Sequence, residues 1–476
     1  MVDEESSTIQ ESSNRATDCA VESSSANSTE EKKNKTGLFY TISIGNATGQ
    51  SFLFNFFSAF AVIMGVRANL LGFLTSIRNL MSSLFQGTIG RLSDKYGRRK
   101  FLIGGFSLVF VSLVILFFIN NPEKILQNTI VLIIVSVIQA FSLSVIIPVW
   151  SAALGDVTVS RKRASYIGRL SAIGTGISVT LMLSLSVSYW LINDKFTWFV
   201  FGKELYIPEQ TQYLIAFGFA ALNFVLCVVG SIILRETKKN TEIREQPSMF
   251  LALKNQSFKE FFIVNTIFGL IMSLMWPIFP IAQIELLEMT FTQLAITNAI
   301  FSVSSSLAQF FGGRLGDRIG RKPLIVYGRM AMLAIPLVMI GAVYFNNWLI
   351  LMASNIIGGS AIGAITVGQN AYILDLAPEE QMGAYTGLAQ VGWGIATFIG
   401  SLSAGFIANS IEMQVGTERM IYITFSVICF LRFFSSIFFL FIKESLVKET
   451  QKEISVLEEA ETARTFVSEC TQDQTK

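Results

Sequence analysis

Apolar runs of roughly 20 residues recur along the whole chain, and short polar connections separate them. The hydrocarbon core of a bilayer is about 30 Å thick and needs about 20 apolar residues per helix. On that measure the pattern predicts spans near 39–65, 70–89, 101–119, 129–149, 164–191, 213–234, 261–286, 292–311, 323–344, 348–374, 383–407 and 420–442. The fifth and tenth are long enough to require tilt or partial emergence. The expected class is an all-α polytopic membrane protein with twelve transmembrane helices.

Composition agrees with the pattern. The 476 residues are 51% hydrophobic and 15% charged, with a mean hydropathy of +0.54. A soluble protein carries about 25% charge, so a water-soluble enzyme is not expected. Residues 1–37 are rich in Ser, Glu, Thr and Asn and predict a disordered tail. Without a short apolar stretch after an early basic cluster, they do not read as a cleaved signal peptide. Residues 443–476 form a second charged tail, in which 444–460 fit either a short surface helix or a solvated segment.

Charge placement says more than the net charge of +2, which argues for neither a nucleic-acid partner nor an acidic substrate. Lys and Arg are retained in cytoplasmic loops. With both termini inside, the inner loops hold Arg91, Lys95, Arg98, Arg99, Lys100, Arg161, Lys162, Arg163, Arg235, Lys238, Lys239, Arg244, Lys254, Lys259, Arg314, Arg318, Arg321 and Lys322. The outer loops hold only Arg67, Lys124, Lys195, Lys203 and Arg419. This asymmetry predicts cytoplasmic termini and an even number of spans; the expected location is the cell membrane. The longest inner connection, 235–260, reads as a linker between a bundle at 38–234 and a second at 261–442.

Metal and cofactor chemistry finds little support. The chain has no histidine, and Cys19, Cys227, Cys429 and Cys470 lie too far apart for a zinc site. No Gly-x-x-x-x-Gly-Lys loop is present to hold nucleotide phosphates. The expected partners are a small-molecule substrate and the lipid bilayer, with a coupling ion left open and a monomer as the expected state.

The chain repeats itself. Residues 90–98, Gly-Arg-Leu-Ser-Asp-Lys-Tyr-Gly-Arg, match 313–321, Gly-Arg-Leu-Gly-Asp-Arg-Ile-Gly-Arg, at six of nine positions and an offset of 223. Asp156, Tyr166 and Gly168 recur as Asp375, Tyr385 and Gly387 at an offset of 219. Two echoes at nearly one offset, in the same topological places, indicate duplicated six-helix units.

With these motifs the chain resembles the major facilitator superfamily over residues 38–442. The resemblance implies two six-helix bundles and secondary transport by alternating access, with no enzymatic activity. It also implies a cytoplasmic gate of Gly90, Asp94, Arg98, Asp156, Gly313, Asp317, Arg321 and Asp375. There the glycines permit close approach to a helix of the other half. Asp94 and Asp317 face the positive end of a neighbouring helix, the eleventh or the fifth, and the arginines reach Asp156 and Asp375.

Ionisable groups inside a membrane mark functional sites by default. Arg169 and Arg329 lie near the inner ends of their spans, where they can snorkel to the interface. Arg432 fits inter-helix packing or a shifted boundary. Arg78, twelve residues before Gly90, lies about 18 Å along its helix from the inner loop, near the bilayer centre. Its repeat mate is Phe301, and a guanidinium there can bind a carboxylate or phosphate. Asp and Glu are missing from every mid-span, and Glu285, at the outer end of the seventh, is the best remaining candidate for proton coupling. The neutral pathway candidates are Asn46, Gln50, Asn55, Gln139, Asn265, Trp276, Asn298, Asn355, Gln390 and Trp393, whose amides both donate and accept.

Pro277 and Pro280 predict a bend in the seventh span. Gly358, Gly359, Gly363 and Gly368 predict softening or close packing of the tenth. Residues 168–184 lack the proline of the fifth-helix motif of many drug–proton antiporters. The expectation is a carrier of a small organic solute with an anionic group; proton-driven efflux, a non-transporting receptor and a lipid handler of the same fold are the alternatives.

Overall fold

The computed structural model describes residues 37–119, 123–157, 160–193, 207–234, 249–378 and 381–445. The two expected tails, apart from residues 37 and 443–445, and most of the 235–260 connection lie outside these residues. So do the side chains of Arg161, Lys162, Arg163, Tyr166 and Gly168.

Everything described is helix or short connection. The first span is helical over 37–63. The second comprises Ala68–Leu84 and, after a break at Phe85, Gln86–Tyr96. Arg98–Leu116, Ile125–Val157, Ser160–Asn193 and Glu209–Ile233 are the third to sixth. The seventh starts as Gln256–Ser273, the eighth is Phe291–Ile319, and the ninth is Arg321–Ala331 followed by Ala334–Tyr344. Ile350–Leu376, Met382–Val415 and Thr417–Ile437 complete the set. Among the described residues nine helices are long and apolar enough to cross a bilayer. The other three spans are broken or polar. Asn46, Gln50 and Asn55 dilute the first, the second is divided at Phe85, and the seventh ends early. The longest helices are the fourth, fifth and eleventh, at 33, 34 and 34 residues, rather than the fifth and tenth.

The expected bend of the seventh span is a complete break. A proline has no N–H to return to the carbonyl four residues earlier, so Pro277 leaves the Ser273 carbonyl free. That carbonyl accepts instead from the Trp276 amide and from Ser401 Oγ, each at 3.2 Å. The chain resumes as a single turn, Phe279–Ile281, and a π-helical turn, Ala282–Leu286.

The chain forms two compact units. Among the described residues, those within 37–67, 77–234 and 289–299 make up one, and those within 68–76, 249–288 and 300–445 the other. In the first unit, glycines let the first and sixth spans touch. A Cβ at Gly45 would stand 2.8 Å from Cys227 Sγ, and one at Gly49 2.7 Å from the Phe224 ring. Aromatic rings fill its core: Phe56 stacks on Phe291 at 4.4 Å, and Tyr213 and Tyr189 meet Phe291 edge-on at 5.1 and 5.2 Å. In the second unit the tenth span presses Gly359 and Gly363 onto the backbone of the eighth at Phe301 and Ser305. Gly72 and Gly405 make a similar contact, each leaving room for a carbonyl of the facing helix.

Candidate functional site

The two copies of the Gly-Arg-Leu loop each join a pair of spans through one left-handed residue. Gly97 has φ 98° and Gly320 φ 105°, a conformation that only glycine adopts readily. Each turn ends one helix and starts the next, with an arginine directly after the glycine. Arg98 pairs with Asp94 at 2.9 Å and with Asp156 at 3.0 Å. Arg321 pairs with Asp317 at 2.6 Å and with Asp375 at 3.4 Å. The two arginine side chains are 13% exposed, whereas Asp94 and Asp317 are 54% and 67% exposed. The aspartates four residues before the arginines are therefore the wet partners, and Asp156 and Asp375 are the sheltered ones.

Asp94 and Asp317 each pair with the arginine four residues on, which stands across the glycine turn at the start of the next helix. No atom lies within 4 Å of the position a Cβ would take on Gly90, and Gly313 meets only Val367 Cγ1 at 3.9 Å. The glycines whose backbone conformation calls for glycine in this loop are Gly97 and Gly320.

The second copy carries an additional partner that the motif did not reveal. Glu444 accepts from the backbone N–H groups of Arg321 and Lys322 at 2.9 and 3.0 Å, capping the ninth span. Ser445 Oγ donates to Asp375 Oδ2 at 3.0 Å, and Tyr372 Oη donates to the Lys443 carbonyl at 2.8 Å. Residues 443–445 thus strap the end of the twelfth span to the repeat loop. A sequence signal exists in Arg-Glu-Thr at 235–237 and Lys-Glu-Ser at 443–445, which follow the last span of each half.

In the first unit, Arg78 is partly buried and its guanidinium lies 4.8 Å above the Phe54 ring. Among the described residues no carboxylate pairs with it. On the first span, Gln50 Nε2 donates to Asn46 Oδ1 at 2.7 Å, and Asn55 Nδ2 donates to Met182 Sδ at 3.9 Å. Gln139 is 1% exposed, and among the described residues neither its oxygen nor its nitrogen has a hydrogen-bond partner. Asn298 is half-buried.

In the second unit, Asn355 donates to the Leu351 carbonyl of its own helix at 2.8 Å, and Gln390 is exposed. Trp276 packs at the edge of the core of this unit. Trp393 lies so close to the seventh span that a Cβ on Gly269 would stand 2.8 Å from its indole. Glu285 is exposed.

The expectation for one buried arginine of this unit requires correction, and that for the other is met by packing between helices. Arg329 does not snorkel. It is 1% exposed, and its Nη2 donates to Asn265 Oδ1 at 2.9 Å and to Gln369 Oε1 at 2.8 Å. Arg432 is 2% exposed and donates to the Met332 and Met272 carbonyls at 3.2 and 3.1 Å. Both carbonyls lie where a helix breaks. Pro336, four residues after Met332, has no N–H for it, and the Trp276 amide turns from Met272 to Ser273. Arg432 therefore replaces two backbone donors that proline breaks remove.

Apolar helices of this number, arranged as a duplicated unit with matching arginine–aspartate loops, define a multi-pass membrane protein of the transporter class. The sequence profile of the Major Facilitator Superfamily matches residues 39–265 and 261–468, and the chain belongs to that superfamily. An MFS-type transporter of Methanocaldococcus jannaschii is 22% identical over 366 residues, 76% of this chain and 88% of that protein. The quinolone resistance protein NorA of Staphylococcus aureus is 27% identical over 157 residues, 33% of this chain and 39% of NorA. Among solved structures, the nucleoside transporter NupG superposes with a TM-score of 0.64 at 14% identity, covering 85% of this chain and 99% of NupG. A bacterial homologue of the human lysosomal transporter Spinster gives 0.62 at 13% identity, covering 86% and 98%. The profile match establishes the family, and the likeness to the solved structures establishes the fold.

Proposed function

We propose that the chain is a secondary carrier of a small organic solute bearing an anionic group, working by alternating access with both termini in the cytoplasm. Arg78 carries this reading. A fixed positive charge in a membrane helix, stacked on Phe54 and without a carboxylate partner among the described residues, is costly to keep unless it binds something. Asn46 and Gln50, already hydrogen-bonded to each other on the first span, supply neutral donors and acceptors in the same unit. The two arginine–aspartate loops act as the cytoplasmic gate. Facilitated transport or substrate exchange fits better than proton coupling, because the spans have no mid-span carboxylate and Glu285 is exposed.

The match to NorA over a third of the chain favours a second reading, efflux driven by proton antiport. Uptake of labelled solutes into proteoliposomes, with and without an imposed pH gradient, separates the two. The carrier reading expects anion flux that is insensitive to the gradient and lost in Arg78→Gln. Flux that follows the gradient and is lost in Glu285→Gln would establish antiport instead. Undiminished anion flux through a folded, inserted Arg78→Gln protein would remove the anion assignment.

A further inference from the structure

The cluster around Arg329, wholly within the second unit, contains one full positive charge and an excess of donors. Phe268, Phe439 and Trp393 surround the guanidinium, with ring centroids 4.2, 5.1 and 5.4 Å from its carbon. Among the described residues no carboxylate lies within ion-pair distance. Arg329 Nε is buried and has no acceptor. A guanidinium only donates, so Asn265 and Gln369 must both turn their carbonyl oxygens towards it. The orientation of the two amides is thereby fixed, and the NH2 group of each faces away from the arginine. Among the described residues neither NH2 group nor the Trp393 indole N–H makes a hydrogen bond. Gln369 and Trp393 remain partly exposed, whereas Arg329 and Asn265 are closed off at 1%.

An arrangement that served only to join the seventh, ninth and tenth spans would not need a net charge. Burying an unpaired ion costs several kcal/mol even after relaxation, and amide-to-amide hydrogen bonds join membrane helices without that penalty. The leftover groups are all of one kind, N–H donors beside a cation, and their complement is an anion with several acceptor lone pairs. A carboxylate has about four such sites and accepts from a guanidinium in a fixed geometry.

We propose that Arg329, Asn265, Gln369 and Trp393 form a binding site for the carboxylate of a small organic acid. The site shares no residue with the Arg78 region, which belongs to the other unit. It rests on the carrier reading only for what happens to the bound acid, because binding can be measured without flux.

The test uses the purified full-length protein in lipid nanodiscs with benzoate as probe, benzamide as its neutral counterpart and chloride as the inorganic anion. Thermal stabilisation and tryptophan fluorescence are read against probe concentration. Benzoate is expected to stabilise the protein and change its fluorescence, and benzamide and chloride are not. Because Arg329→Gln can fail to fold, the decisive variant is Gln369→Glu. It keeps the length of the side chain and places a carboxylate against the guanidinium as an internal competitor. It is expected to be at least as stable as the wild type and to weaken benzoate binding by at least about tenfold. Stabilisation by benzamide or chloride equal to that by benzoate, no response to benzoate, or benzoate affinity in folded Gln369→Glu within about twofold of wild type would overturn the proposal. Arg78→Gln measured alongside keeps the two readings apart: it is expected to abolish anion flux while leaving benzoate stabilisation through the Arg329 cluster.

Discussion

Alanine at Gly363 and alanine at Gly341 should change stability in opposite directions, although the two substitutions are chemically identical. On the tenth span, a Cβ at Gly363 would press on the Ser305 carbonyl and stand 2.8 Å from Ala308 Cβ and 3.1 Å from the Gln309 nitrogen. Carbon atoms attract at about 3.5 Å and above, so the eighth and tenth spans would have to part by about 0.7 Å. The obstacle is helix backbone, which cannot rotate away as a flexible side chain can. Overpacking of this kind costs roughly 1–3 kcal/mol. Gly341, within the ninth span, has nothing within 4 Å of its Cβ position. Alanine there meets no obstacle and gains the helix preference of alanine over glycine, roughly 0.5–1 kcal/mol. Unfolding in mixed micelles, followed by helical circular dichroism, should place Gly363→Ala below the wild type and Gly341→Ala at or above it. Equal midpoints for the two variants, or a Gly363→Ala protein as stable as the parent, would refute the close helix contact from which the argument starts.

Other substitutions test the polar framework of the second unit and its counterpart in the first. Glu444→Ala removes the acceptor for two N–H groups at the start of the ninth span and should cost about 0.5–2 kcal/mol, with faster amide exchange at Arg321 and Lys322; unchanged exchange would show that the cap contributes nothing. Arg432→Met leaves the Met272 and Met332 carbonyls without a donor and should cost about 1–3 kcal/mol for each buried group left unsatisfied, read as a lower unfolding midpoint; an unchanged midpoint would show that other groups serve those carbonyls. Asp156→Asn and Asp375→Asn each remove the sheltered carboxylate from an arginine–aspartate pairing, and each should lower stability by about 1–2 kcal/mol; the absence of any effect would mean that this pairing contributes nothing measurable.

Hydrophobic periodicity makes the helical class and most spans legible, because membrane burial imposes a length and a polarity that one sequence displays. The repeat is legible for the same reason that the loops are alike: Arg98 and Arg321 meet equivalent aspartates. The work of individual glycines is less legible. Gly90 and Gly97 stand in one motif, yet only Gly97 carries a positive φ, and nothing in the spelling distinguishes them. Arg329 is misread because position along a span suggests snorkelling, whereas its partners Asn265 and Gln369 come from helices 64 and 40 residues away in the chain. Proline explains Arg432 in retrospect. Pro336 is visible in the sequence, but the arginine that serves its orphaned carbonyl lies 100 residues on.

Counterflow tests the carrier reading most directly. Proteoliposomes loaded with unlabelled organic anion are diluted into a trace of the same anion carrying a label, with no ion gradient imposed. A carrier working by alternating access exchanges one molecule for the other, so label should accumulate transiently above its equilibrium level, and Arg78→Gln should abolish the overshoot. Saturable binding of the labelled anion with no entry of label into the vesicles would contradict the account and leave a receptor built on a transporter fold.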